Sequence, residues 1–217
     1  MGPSGGLGRN VARRVKSPGT VEPPGQSAGS EEVVAAAAAL PAAPATNGSS
    51  GDSAGRRQYV LGIDPGLNIT GYGVLEVLRD RSVRIAEAGV VRGRDKSSLE
   101  SRLREIFQGV NEVIHAFHPA AIAIEQLYSH YERPRTAILM GHARGTICLA
   151  AALADIPLYH YAATHVKRML TGNGHAPKSQ VQMAIQRELR LTTTPEPPDV
   201  ADALAVALCH HYETRIA

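Results

Sequence analysis

The run from Tyr59 to Ile63, YVLGI, is apolar at every position rather than at alternate positions. A strand of this kind is buried on both faces, so it belongs at the centre of a sheet that helices cover on each side. Asp64 follows at its end, and a Pro-Gly turn then leads into a second run, TGYGVLEV. The two runs predict an antiparallel hairpin whose central strand ends in a carboxylate.

Periodicity predicts the order of the remaining elements. Strands are expected at about 58–64, 71–78 and 83–91, then a helix at 97–118, a strand at 120–128, a helix at 134–156, a strand at 157–162, and helices at 163–172, 179–191 and 198–212. A strand, helix, strand order favours parallel pairing. We therefore expect an α/β fold with a mixed sheet of about five strands, three antiparallel and the rest parallel, flanked by helices.

Composition divides the chain into two parts. Residues 1–57 are rich in Gly, Pro, Ser and Ala and poor in large apolar side chains, which predicts a disordered low-complexity tail. Residues 58–217 are enough for one globular domain. We expect no membrane association, because no stretch of the sequence approaches the length of an apolar membrane span. Cys148 and Cys209 lack metal-type spacing and are interpreted as reduced core thiols of a cytoplasmic protein.

Basic residues are concentrated between Gln126 and Arg190. This segment has three acids, five histidines and eight basic residues: Arg133, Arg135, Arg144, Lys167, Arg168, Lys178, Arg187 and Arg190. Such a local excess suits a polyanion better than a membrane, since no basic amphipathic stripe accompanies it. Ordinary solvated helix faces explain the count equally well.

Three further acids lie where a site could assemble. Glu125 ends the apolar strand AIAIE, as Asp64 ends its own strand, and sites in α/β proteins form at strand ends. Asp199 and Asp202 are three residues apart behind a Pro-Pro pair, so they share one face of the first turn of a helix. If the two strands are neighbours, the four carboxylates converge.

Each acid also has a structural explanation. Asp64 could stabilise its turn, and Glu125 could be the buried partner of an arginine. Asp199 could cap the helix, and Asp202 could interact with the helix dipole. Four separate structural roles do not explain why the acids would lie together, because clustered buried acids raise one another's pKa unless cations intervene. An all-carboxylate set favours Mg²⁺ or Mn²⁺ over zinc.

Such a cluster suits phosphodiester hydrolysis. Two divalent ions about 4 Å apart can share a phosphate oxygen, activate a water and stabilise the leaving oxygen. Surrounding basic residues would hold the nucleic-acid backbone. The residues alone therefore indicate a metal-dependent nuclease.

Five successive blocks resemble a known family. VLGIDPGLNITGYGVLE, AIEQLY, GHARGTI, YAATHVKRMLTGNGHAPKSQVQ and PDVADALAVALCHH are similar to the RuvC family of bacterial Holliday-junction resolvases, over residues 59–212. The resemblance implies a ribonuclease H-like fold, a homodimer, and symmetric Mg²⁺-dependent nicking of four-way DNA junctions in recombination and repair, leaving 5′-phosphate and 3′-hydroxyl ends. It also implies two metal ions per site, with Mn²⁺ as a substitute, and branch-migration partners of the RuvA and RuvB type.

The resemblance also assigns roles to individual residues. The metal-binding acids of the family fall on Asp64, Glu125, Asp199 and Asp202, and its basic residues beside the scissile phosphate fall on Lys167 and Lys178. An aromatic residue that acts near the exchange point, usually Phe in the family, is Tyr128 here, and Arg133 is a further candidate for DNA contact. Residues 1–57 have no counterpart in the family pattern.

Three other functions remain open from the sequence. The GIDPG turn also resembles the first phosphate loop of actin-like kinases and chaperones, although 160 residues leave no room for the second domain that those folds need. A catalytically silent junction-binding module is the second possibility. The third is a general nuclease of the same fold, because a metal site reads phosphates while specificity comes from shape.

Overall fold

A mixed sheet forms the centre of the protein. The computed structural model describes residues 11–12, 57–93, 98–126 and 134–216. The strands are β1 (Val11–Ala12), β2 (Gln58–Asp64), β3 (Ile69–Val77), β4 (Val83–Arg92), β5 (Ala121–Glu125) and β6 (Leu158–Tyr161), in the spatial order β1-β4-β3-β2-β5-β6. Strands β2, β3 and β4 pair antiparallel, and β5 is parallel to both β2 and β6. The predicted fold class is confirmed.

Strand β1 is the one strand that the sequence pattern did not predict. It pairs antiparallel with the edge of β4, Val11 opposite Val91, and lies within the segment expected to be a disordered tail. The other residues before Arg57 lie outside the described part of the chain. The chain separates into two compact units, residues 1–17 with 57–217, and residues 18–56. The fold described here belongs to the first unit, and the boundary at residue 57 stays a prediction.

In the described part of the chain, five helices cover the two faces of the sheet. They are α1 (Leu99–Phe117), α2 (Pro134–Leu153), α3 (Ala163–Thr171), α4 (Lys178–Glu188) and α5 (Pro198–Ile216). On one face, Ile63 and Ile124 pack against α1 and α2. On the other, Val60 and Ala123 pack against α3, α4 and above all α5. Strand β2 is therefore buried on both sides, as its uninterrupted apolar pattern predicts.

Glycines let α5 approach the sheet unusually closely. A Cβ built on Gly62 would lie 2.1 Å from the carbonyl oxygen of Ala203, and one on Gly71 would lie 2.0 Å from the carbonyl oxygen of Asp199. At Gly73 it would lie 2.5 Å from a methyl carbon of Leu204. The backbone of α5 thus rests on the backbone of β2 and β3, which leaves no room for side chains between them.

Helix α2 corrects the expectation that no segment is long and apolar enough to span a membrane. Its 19 residues from Arg135 to Leu153 reach a mean hydropathy of 1.3, and only 22% of that stretch is buried. The sequence analysis underestimated the hydropathy of α2 because alanines, which are small and only weakly apolar one by one, supply much of it. The inner side of α2, with Ala143, Ile147 and Ala150, packs on the sheet, which leaves an apolar outer side.

Candidate active site

Strand pairing brings Asp64 and Glu125 side by side. Ile63 is the parallel partner of Ile124, so the next residue of each strand also lies beside the other. Side chains alternate along a strand, and Gly62 and Ala123, two residues earlier, face α5. Both carboxylates therefore leave the sheet on the face that α5 covers.

Helix α5 adds the other two acids to the same place. Gly71 is the cross-strand partner of Asp64, and the backbone of Asp199 rests directly on Gly71. Asp202 lies one turn further along the same helix, and its Oδ2 accepts a hydrogen bond of 2.7 Å from Nζ of Lys178, the first residue of α4. The first turn of α5 thus stands over the ends of the two central strands.

The pKa values show that these groups act on one another. The pKa of the Asp64 carboxyl is raised to about 7, first by burial and then by the charges of Glu125, Asp202 and Asp199, while Lys178 opposes the shift. Burial followed by the charge of Asp202 also raises the pKa of Glu125, which Lys167 and Lys178 counteract. The structure therefore places the four predicted acids and both predicted lysines in one cluster.

The acids are close but are not arranged around a single point. Within residues 57–93, 98–126 and 134–216, no three His, Cys, Asp or Glu side chains are grouped tightly enough to hold an ion as they stand. The ammonium group of Lys178 instead neutralises Asp202. Four oxygen-only side chains whose charges repel one another still form a donor set that suits a hard divalent cation.

Tyr128 and Arg133, the two other predicted DNA contacts, lie outside the described residues.

The structure shows an arginine beside Glu125, but not in the ion pair that the structural explanation of this acid suggested. Arg144 does reach Glu125, but its Nε donates to the backbone carbonyl oxygen, at 3.3 Å, rather than to the carboxylate.

Sequence reasoning missed the residues that set the distances in this site. Gly71 and Gly73 alternate in β3, and alternate glycines in a strand are a known sign of close backbone approach. That signal was available. Arg144 was counted with the basic residues of its segment, and nothing in its local pattern marked it as part of the site.

Comparison with known proteins gives one consistent result. Residues 60–210 match the sequence model of the family described as Crossover junction endodeoxyribonuclease RuvC. A relative of that description from Rhodopirellula baltica is 55% identical over 158 residues, which are 73% of this chain and 88% of the relative. One from Nitrosomonas eutropha is 43% identical over 156 residues, 72% of this chain and 85% of the relative.

Solved structures agree with the sequence comparison. The structure of Thermus thermophilus RuvC in complex with a Holliday junction substrate matches with a TM-score of 0.69 at 35% identity, covering 73% of this chain and 96% of that one. The structure of the same protein described without substrate gives a TM-score of 0.68 over the same shares. The family model itself, over residues 60–210, reaches from the central strands to the helix that carries Asp199 and Asp202.

Proposed function

This chain belongs to the RuvC family of crossover junction endodeoxyribonucleases, and we propose that it resolves four-way (Holliday) DNA junctions by symmetric, divalent-metal-dependent phosphodiester hydrolysis. The products are nicked duplexes with 5′-phosphate and 3′-hydroxyl ends, which a ligase can seal. The reaction serves homologous recombination and DNA repair. We assign the protein to the cytoplasm, where bacterial DNA lies.

One observation carries the proposal: four carboxylates and two lysines from five separate elements converge at the ends of the central strands. Strands β2 and β5 and helices α3, α4 and α5 each contribute to the electrostatics of this cluster. A purely structural protein gains nothing from burying mutually repelling acids, whose cost rises with each added charge. The cluster is explained by a cation that binds there.

We propose that Asp64, Glu125, Asp199 and Asp202 hold Mg²⁺, two ions per site, with Mn²⁺ able to substitute. When bound, the ions supply an activated water and stabilise the leaving oxygen. The raised pKa values of Asp64 and Glu125 support this assignment, because they come from burial and from repulsion among the acids, and positive charge between the acids offsets both effects.

The side chains of this protein have separate tasks in the proposed reaction. Lys167 and Lys178 hold the non-bridging oxygens of the scissile phosphate and balance the charge that develops on them. Lys178 already lies in the field of the acids, which raises its pKa through its bond to Asp202 and keeps it cationic. Tyr128 stacks on an unpaired base at the exchange point, and Arg133 contacts the backbone.

The direct test is cleavage of a labelled, mobile four-way junction beside a linear duplex of the same sequence, with Mg²⁺ or with chelator. We expect paired symmetric nicks in the junction only, and none with chelator. Equal cutting of the duplex would favour a general nuclease. Binding without cleavage under any divalent metal would favour a silent junction-binding module.

The raised pKa of Asp64 predicts that metal affinity depends on pH. Its folded-state pKa of about 7 exceeds the usual 3.8, so in metal-free protein this group favours folding at low pH, and that contribution is lost as the pH rises from about 4 to 7. A proton also competes with Mg²⁺ for the carboxylate. We expect the Mg²⁺ concentration at half-maximal thermal stabilisation to fall about 30-fold between pH 5.5 and pH 8. A pH-independent midpoint would contradict this placement of Asp64.

We propose that α2 forms the homodimer interface. Its outer side carries Ile138, Leu149 and Leu153, which are 61%, 53% and 66% exposed, with Gly141 and Gly145 between them. A Cβ on either glycine would meet no atom within 4 Å, so the groove along the helix is open to another helix. Four-residue spacing places both glycines on this stripe, where they allow close helix contact. We assign a second copy of α2 as the occupant of this stripe, because symmetric cutting of two strands needs two active sites related by a twofold axis.

Leu149→Glu tests this interface. Two buried, unpaired carboxylates at a symmetric contact should raise the dimer dissociation constant about 100-fold or more. Sedimentation equilibrium measures that change, and junction cleavage should lose its paired cuts. Met183→Glu on α4 is the matched control, since Met183, at 61%, is exposed to a similar extent as Leu149 but lies away from the stripe. An unchanged dissociation constant for Leu149→Glu would exclude α2 as the interface.

The proposal extends to partners that move the branch point. Homologous recombination requires a junction to migrate before it is resolved at a chosen place, and helicase complexes of the RuvA and RuvB type supply that motion for this family. We propose that they work with this protein. Co-migration of the protein with such a complex on a junction, in native gels, is the measurement that checks this.

A further inference from the structure

The backbone carbonyl of Glu125 lacks the sheet partner that its position calls for. The N–H of Ile122 in β5 donates to the carbonyl oxygen of Pro157, and the N–H of Gln126, just after β5, donates to that of Tyr161, so within β5 the backbone groups of even-numbered residues point toward β6. Those of Glu125 therefore point toward β2. The parallel ladder pairs Ile63 with Ile124, so the next donor on the β2 side would be residue 65. That residue is a proline and has no N–H to give.

Arg144 supplies the missing donor from the far side of the sheet. Its Nε lies 3.3 Å from the carbonyl oxygen of Glu125. Arg144 belongs to α2, which packs on the face opposite α5, whereas the Glu125 carboxylate lies on the α5 face. The charges that shift the pKa of that carboxylate are those of Asp202, Lys167 and Lys178. The contact of Arg144 is thus with the peptide that carries the ligand and not with the ligand oxygens.

The same guanidinium group also holds the neighbouring strand. Nη2 of Arg144 lies 2.5 Å from Nδ1 of His160 in β6. Arginine can only donate, so Nδ1 accepts and the imidazole is neutral, with its proton on Nε2. Burial, and then the charge of Arg144, lower the pKa of His160, in agreement with this state. One side chain therefore joins the ends of β5 and β6 directly behind the acids.

We propose that Arg144 is a positioning residue for the metal site: it replaces the hydrogen bond that Pro65 cannot make and fixes the peptide of Glu125 relative to Asp64. The proposal rests on the proposed function, since it assumes that Glu125 binds metal. A fork of two nitrogens is needed because the carbonyl oxygen and the imidazole lie in different directions. Lysine has one nitrogen and cannot reproduce the contact.

The test uses Arg144→Lys and Arg144→Gln, with Arg104→Gln on the exposed part of α1 as the matched control. Mn²⁺ binding followed by electron paramagnetic resonance, and the Mg²⁺ midpoint of thermal stabilisation, report on the site without cleavage. We expect both Arg144 variants to bind metal about tenfold more weakly, the usual effect of losing a group that orients a ligand. Their cleavage deficit should shrink as Mg²⁺ is raised, and junction affinity measured in chelator should stay unchanged.

Three outcomes would overturn the proposal. Unchanged metal affinity in both variants, with a lower Tm, would reduce Arg144 to an ordinary structural contact. Weakened junction binding in Arg144→Gln that Arg144→Lys restores would make it a charge contact to DNA. If wild-type protein binds no Mn²⁺ at all, the proposed function fails first and this proposal fails with it, whereas tight wild-type binding that the variants share removes the role of Arg144 alone.

Discussion

Asp64→Asn is expected to reduce junction cleavage about a thousandfold or more while making the metal-free protein more stable. The loss of cleavage follows from losing a proposed metal ligand, because a transition-state contribution of about 4 kcal/mol corresponds to three powers of ten in rate. The gain in stability follows from burial and from the repulsion of three other acids, which together raise the pKa of Asp64 to about 7. Asparagine has nearly the same shape and no charge.

The two effects are measured separately. At pH 8 in chelator, where wild-type Asp64 is ionised, the Tm of the variant should rise by about 2–6 °C, equivalent to roughly 1–2 kcal/mol for a domain of this size. With Mg²⁺ the order should reverse, because only the wild type gains from the ion. Junction affinity in chelator should be retained. Asp155→Asn, at an exposed turn with φ 53°, is the control and should change neither property. A lower metal-free Tm for Asp64→Asn would show that the carboxylate has a structural role instead.

Gly71→Ala is expected to be among the most damaging additions of a single methyl group within the described residues. The new Cβ would lie 2.0 Å from the carbonyl oxygen of Asp199 and 2.4 Å from its carbonyl carbon, distances at which backbone must move. A side chain could rotate away, but a helix backbone cannot. We expect about 3 kcal/mol or more of destabilisation, at the upper end of overpacking effects, measured by urea unfolding.

The same substitution should also damage the site more than the fold. Lifting the first turn of α5 moves Asp199 and Asp202 away from Asp64, so any folded Gly71→Ala protein should bind Mn²⁺ weakly. Ala116→Ser, at an exposed position of α1, is the control: it also adds one heavy atom, but into solvent, and should cost only about 0.5 kcal/mol and leave metal affinity unchanged. Near-normal stability and metal affinity in Gly71→Ala would mean that α5 does not rest on β3 as described.

The sequence predicted the parts of the structure that depend on local pattern. Strand β2 was placed at the centre because its apolar run has no polar face, and the observed bounds, Gln58–Asp64, agree with the expected ones. Neighbouring positions for Asp64 and Glu125 followed from strand ends meeting at one edge of the sheet. The clustering of Asp199 and Asp202 with them came from their spacing and from the family resemblance.

What the sequence did not predict depends on contacts between distant segments. Nothing local to Gly71 states that Asp199, more than a hundred residues later, rests on it. The partnership of Arg144 with the Glu125 carbonyl becomes visible only when the β2–β5 register shows that Pro65 faces an acceptor. The exposed side of α2 escaped notice because helical periodicity shows which residues are apolar but not which side the sheet covers.

The position of α5 in the chain has a consequence for the timing of synthesis. Helix α5 covers most of the central strands on one face of the sheet, and Leu204 and Leu208 in it are fully buried against strands made long before. Until α5 emerges from the ribosome, a nascent chain exposes that apolar face and lacks two of its four acids. Under the proposed metal assignment, each new copy is unable to cut DNA until α5 docks, and fast docking of α5 limits the time during which the apolar face is open to aggregation.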